Sequence, residues 1–100
     1  MIDWAKITSF DWDEGNARKN ENPGVTMAET EQVFFNAPLL VLDAYSRHSN
    51  QEPRFHALGK TDDIRLLHIT ITVRHNGELI RVIWARDMHR KERVIYEKAT

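Results

Sequence analysis

The stretch LLHITITVRHNGELIRVIWAR, residues 66–86, decides how the rest of the chain is read. Two runs rich in β-branched residues, Leu66–Arg74 and Glu78–Arg86, flank His75-Asn76-Gly77. Asn-Gly between such runs is the strongest short-range hairpin signal. A two-residue turn would pair His75 with Glu78, Arg74 with Leu79, Thr72 with Arg81, Thr70 with Ile83 and His68 with Ala85. Side chains alternate along a strand, so these residues share one face. The other face carries Leu67, Ile69, Ile71, Val73, Ile80, Val82 and Trp84, which reads as a core. By the same parity Arg86 falls on the core face, where its charge must find a partner or reach solvent at the strand's end.

Downstream, the pattern changes to a helix from about Met88 to Lys98. Met88, Glu92, Ile95 and Ala99 form one stripe with Glu92 in its middle. Glu92 could therefore pair with Arg86 where helix meets sheet. Such a pair would pin the two elements together, or aim the guanidinium at a phosphate, or both. His89, Arg90, Lys91 and Arg93 add a positive rim beside it.

Upstream, Phe10-Asp11-Trp12-Asp13-Glu14 opens a helix, with Asp11 as cap and Glu14 at capping-box spacing. Asn22-Pro23-Gly24 ends it. Thr26-Met27-Ala28-Glu29 repeats the box, and Asn36-Ala37-Pro38 stops the second helix. Leu39–Leu42 and Phe55–Gly59 read as strands, separated by a polar, irregular loop over 44–53. The order is α-α-β-β-β-β-α, an α+β fold with an antiparallel four-stranded sheet. In the simplest register His56 lies opposite His68, and Arg54 joins the same surface.

One hundred residues suit a single domain over 1–100, and 41% hydrophobic residues are enough for its core. No apolar run approaches the ~20 residues of a membrane span. MIDWAKITSF lacks the basic-then-apolar order of a secretory signal. Without cysteine there is no disulfide or thiol chemistry, which suits a reducing cytoplasm. The net charge of −1 hides an asymmetry: residues 1–52 hold four Lys/Arg against nine Asp/Glu, residues 53–100 ten against six. A basic face on a near-neutral protein attracts phosphates or acidic partners.

A sheet face with Arg54, Arg81, His56, His68, Thr70 and Thr72 has the chemistry to bind and cleave a phosphodiester. Arginine forks match phosphate oxygens and histidine moves protons near neutral pH. The same pattern also describes the ordinary wet face of an antiparallel sheet. The five histidines show no HExxH or similar spacing, so no metal is expected. Four glycines form no phosphate-cradling loop, and no serine sits in a nucleophile elbow.

Taken in order, several segments resemble the BrnT-type toxins, ribonucleases of bacterial type II toxin–antitoxin systems. They are Phe10-Asp11-Trp12-Asp13, Lys19, Gly24-Val25, and Val33-Phe34-Phe35 at a helix end. Glu52-Pro53-Arg54-Phe55-His56-Ala57-Leu58-Gly59 looks like the family's ExRxxxLG segment. Arg81-Val82-Ile83-Trp84-Ala85-Arg86, Met88, Glu92-Arg93 and Tyr96 are similar to its closing pattern. Two departures stand out: Asn22-Pro23-Gly24 where many members read Lys-His-Gly, and Trp84 where many have serine. The resemblance implies a RelE-like fold and metal-independent RNA cleavage without a cofactor. It also implies a bacterial cytoplasmic location and neutralisation by a ribbon-helix-helix, BrnA-like antitoxin, whose complex with the toxin represses its own operon at operator DNA.

On that reading, Arg86, Arg54 and Arg81 stabilise charge on the phosphorane, and His56, His68 and Glu92 are the acid–base candidates. Lys19, His89, Lys91 and an exposed Tyr96 would hold RNA. A rival reading makes the chain a catalytically weak subunit whose basic surface receives an acidic antitoxin segment. A third makes it an unrelated α+β interaction module.

Overall fold

The computed structural model describes residues 3–19, 24–42 and 53–100. The expected helix stop at Asn22-Pro23 and the expected loop, as far as residue 52, lie outside them. After a 3-10 turn at Trp4–Lys6 the elements are β1 (Ser9–Phe10), α1 (Glu14–Lys19), α2 (Met27–Phe35), β2 (Leu39–Leu42), β3 (Phe55–Lys60), β4 (Leu66–Arg74), β5 (Leu79–Asp87) and α3 (Arg90–Ala99). No helix among the described residues is long and apolar enough to cross a membrane.

The sheet has five strands in the order β1-β5-β4-β3-β2. This corrects the four-stranded, wholly antiparallel expectation. Ser9 and Phe10 pair in parallel with Leu79 and Ile80, and the Asp11 amide continues that ladder to the Ile80 carbonyl at 2.8 Å. Two residues are too few to show a strand period. Because β1 takes those positions, α1 starts later than expected, and its cap is Asp13 rather than Asp11. Asp13 Oδ1 accepts from the Asn16 amide at 2.9 Å, while Asn16 Oδ1 accepts from the Asp13 amide at 2.7 Å. The second helix starts as expected: Thr26 and Glu29 exchange both capping-box hydrogen bonds at 3.0 Å.

The hairpin keeps the expected pairing only at its turn end. Arg74 faces Leu79 and Thr72 faces Arg81, and the turn uses left-handed backbone at His75, Asn76 and Gly77. The register then slips between Thr70 and Ile71. Ile71 faces Val82 and Thr70 faces Trp84, so Ile83 is the extra residue of a β-bulge. Beyond it every side chain of β5 changes sides. Ala85 is fully buried in the core, Trp84 leaves it, and Arg86 faces His68. The expected core position for Trp84 and core-face position for Arg86 are thus both reversed.

Helices cover both faces. On one, Val33 of α2 packs with Phe55, Ala57, Leu67, Ile69, Ile71, Ile80, Val82 and Ala85. On the other, Met88 and Tyr96 pack with Leu58, supported by Leu39 and Leu66. That second helix covers only part of its face and leaves the histidines beside it.

The approach of α2 to β3 is close enough to demand glycine at position 59. A Cβ there would lie 2.7 Å from Val33 Cγ1 and 3.2 Å from Pro38 Cβ. Gly59→Ala should therefore destabilise the fold by ~1–3 kcal/mol through overpacking. Urea unfolding, read as a lowered midpoint at unchanged slope, checks it.

Candidate functional site

The bulged end of β5, the first half of β4, the start of β3 and the start of α3 bring four ionisable side chains together, Arg86, His68, His56 and Glu92. Arg86 sits across from His68 by strand pairing, and one turn into α3 Glu92 reaches back to both. Arg86 Nη1 donates to Glu92 Oε1 at 2.8 Å and Nη2 to Oε2 at 2.9 Å, a two-pronged ion pair. Glu92 Oε1 also accepts from the His89 amide at 2.7 Å, so the same carboxylate caps the helix that carries it. Arg86 Nη1 further donates to the Asp87 carbonyl at 3.0 Å.

His68 lies inside this cluster. Its Nδ1 is 2.6 Å from Glu92 Oε2 and 2.8 Å from Arg86 Nη2. A guanidinium cannot give up its proton, and an ionised carboxylate cannot donate. The short contact to Glu92 therefore requires the proton on His68 Nδ1, while the Arg86 Nη2 hydrogen points to Oε2. That tautomer leaves a lone pair on His68 Nε2, which is 2.9 Å from His56 Nδ1. His56 Nδ1 then carries a proton and donates it to His68, with Thr70 Oγ1 3.2 Å away. The rings meet edge to face with centroids 4.9 Å apart. The result is one hydrogen-bonded chain, Glu92–His68–His56.

The strand register differs from the sequence reading here too. His56 pairs with Thr70, and His68 with Leu58. The two imidazoles still meet, diagonally, because they occupy neighbouring rows of one face.

The charge states follow from the surroundings. Burial would raise the Glu92 carboxyl, but the Arg86 fork, the His89 amide and His68 outweigh it and hold it at about 2. Glu92 is thus an anion at neutral pH, which removes it as a candidate proton donor. Burial pushes the His68 imidazole below its usual range; Glu92 opposes that push, and the Arg86 and His56 charges add to it. His68 is therefore neutral near pH 7.

The remaining candidates are dispersed. Arg81 Nη2 donates to Asp13 Oδ2 at 2.6 Å, and its Nη1 lies 3.4 Å from Asp11 Oδ2. These contacts, the Asp13 hydrogen bond first, raise its guanidinium above its ordinary range. It lines a cleft of about 490 Å³ with Asp13, Glu14 and Asn16, a cleft that does not include Arg86. Arg81 and Arg86 thus share a sheet face by strand pairing, but Arg86 does not line this cleft with Arg81. Arg54, just ahead of β3, is exposed and makes no salt bridge among the described residues. His89 and Lys91 are exposed at the start of α3. Tyr96 is only 7% exposed, with its ring on Leu58. The inward side of the helix runs through Glu92 and Tyr96, four apart, and not through Ile95 and Ala99, which are exposed; the expected stripe and the expected exposed ring are both corrected. Lys19 closes α1, and its side chain lies outside the described residues. Among the described residues no three His, Asp or Glu side chains are arranged to hold a metal ion.

Sequence reasoning missed the aspartates that engage Arg81 and the turn of Trp84 onto this face. One signal for the second was present. Val82-Ile83-Trp84-Ala85 is four apolar residues in a row, which breaks the alternation that an unbulged strand would keep.

A sequence-family profile described as the ribonuclease toxin, BrnT, of type II toxin–antitoxin systems matches residues 12–92. A search of curated proteins finds no match.

The two depressed pKa values fix the sign of the acid response. Each group binds its proton more readily unfolded, so stability is full above the unfolded value and falls with pH. The His68 share should fall as pH drops below about 6.5, and the Glu92 share from about 4.5 toward 2. Urea midpoints across pH 3–8 should show both losses in the native protein. The upper one should shrink in His68→Gln and the lower one in Glu92→Gln.

Proposed function

The chain belongs to the BrnT family, ribonuclease toxins of type II toxin–antitoxin systems, and we propose that it cleaves RNA without a metal ion through its paired histidines. The single observation that carries this reading is the Glu92–His68–His56 chain. A carboxylate orients one neutral imidazole, which orients a second, as the carboxylate of a catalytic triad orients its histidine.

The reaction is attack by a ribose 2′-OH on its own phosphate. His56, whose Nδ1 is engaged by His68, takes the 2′-OH proton at Nε2 as the new O–P bond forms. The 5′-oxygen leaves as its bond to phosphorus breaks and takes up a proton from water, giving a 2′,3′-cyclic phosphate and a 5′-OH end. The imidazolium formed at His56 is stabilised through His68 by the Glu92 anion. Proton transfer of this kind contributes about 10²–10⁴ in rate. Arg86 positions Glu92, since both its terminal nitrogens are already engaged by the carboxylate. Arg54, with His89, Lys91 and Lys19, supplies the positive rim that holds the phosphates; Arg81 steadies α1 against β5. The proposal extends to a RelE-like relationship and a cytoplasmic location. It further extends to growth inhibition by translation arrest, and to neutralisation by a ribbon-helix-helix antitoxin whose complex represses its own operon.

One observation favours a second reading. Arg81 and Arg86 are both paired with carboxylates within the chain, which suits a weakly catalytic subunit that mainly complexes an antitoxin and its operator. Purified, partner-free protein incubated with a structured RNA and a chelator separates the two. We expect cleavage to cyclic-phosphate ends, reduced at least ~10²-fold in folded His56→Ala. Arg86→Ala should also lower the rate, by less than His56→Ala, because it acts only through the placement of Glu92. Growth arrest on expression should be relieved by the same substitutions. Tight co-purification with an antitoxin and no cleavage by the native chain would establish the second reading.

A further inference from the structure

The bulge at Ile83 delivers a second side chain to the histidine face besides Arg86. Trp84 faces Thr70 across the strand pair, and Thr70 Oγ1 lies 3.2 Å from His56 Nδ1. Trp84, Thr70 and His56 thus form one row across β5, β4 and β3. The indole lies two strand spacings, roughly 10 Å, from the imidazole.

The three tryptophans of the chain are used differently. Trp12 donates its indole N–H to Glu31 at 2.8 Å and packs against the core. Trp4 lies against Phe34 with ring centroids 6.2 Å apart. Trp84 belongs to neither apolar cluster and, among the described residues, has no ring or hydrogen-bond partner. It is 37% exposed. A buried indole finds a partner for its N–H, whereas this one stands part-exposed on the polar face that carries the histidines. Along β5 it is flanked on the same face by Arg81 and Arg86.

We propose that Trp84 is a stacking platform for a nucleobase of single-stranded RNA bound at the paired histidines, and so a substrate-positioning residue of the site. The proposal rests on the ribonuclease reading and deepens it. Aromatic stacking accepts any base because each has a π-face, and it holds the strand while the imidazoles address the phosphate. Trp84 takes the role that the buried Tyr96 ring cannot fill.

The test uses the full chain and a labelled, mixed-sequence 2′-O-methyl oligoribonucleotide, which lacks the attacking hydroxyl. Binding is read by anisotropy for the native protein, Trp84→Ser and Trp84→Phe, with circular dichroism as the fold control. Trp84→Ser should bind about tenfold more weakly, whereas Trp84→Phe should stay within about threefold because it keeps a ring. For the cleavable RNA, Trp84→Ser should raise KM while kcat changes little. Quenching of indole emission by the oligonucleotide should be lost in Trp84→Phe, which retains Trp4 and Trp12; this arm decides even if the serine variant unfolds. Native affinity in folded Trp84→Ser, or undiminished quenching in Trp84→Phe, would overturn the stacking role alone. A native protein that neither binds nor cleaves RNA would overturn the ribonuclease reading and this one with it.

Discussion

A single surplus residue in β5 governs the chemistry of one face of this molecule. Between Arg74 and Thr72 the hairpin follows strict alternation, and without a slip Arg86 would end in the apolar layer with α2. The bulge at Ile83 rotates the strand's last turn, so that Ala85 enters the core and Arg86 meets His68. Glu92 can then clasp Arg86 from α3 while capping that helix. Helix position, carboxylate position and imidazole tautomer all follow from that one change of parity.

The Arg86–Glu92 pair contributes to orientation more than to net stability. Taking two charges partly out of water costs several kcal/mol, and their attraction with good geometry roughly offsets it. Breaking the pair is a different matter, because the remaining charge keeps its desolvation cost without its partner. What the pair secures is a fixed anion beside His68. That anion selects the Nδ1–H tautomer, which orients the lone pair of Nε2 toward His56. Burial then keeps His68 neutral, so the relay is set for proton acceptance near neutral pH.

Much of the architecture was legible in the residues. Thr26 and Glu29 announced α2, Asn76-Gly77 announced the hairpin, and the β-branched alternation of Leu66–Arg74 gave β4 its faces. The Arg86–Glu92 pair was anticipated, although from a strand parity that the bulge reverses. The rest depended on tertiary contacts with weak local signals. Ser9-Phe10 is too short for a period to appear, so the fifth strand was hidden. Asp11 looked like the helix cap, and nothing local linked it or Asp13 to Arg81, sixty-eight residues beyond Asp13. The apolar stripe was drawn through Ile95, yet Tyr96, four residues after Glu92, is the residue turned inward. The bulge left a trace in the run Val82–Ala85, but a run of apolar residues also fits a fully buried strand.

Cross-strand proton contacts in nuclear magnetic resonance spectra of labelled protein report the register of β4 against β5 directly. The account predicts contacts between Thr70 and Trp84 and between His68 and Arg86, with Ile83 left over. Contacts of Thr70 with Ile83 and of His68 with Ala85 would mean an unbulged strand with Arg86 on the opposite face, and would contradict it.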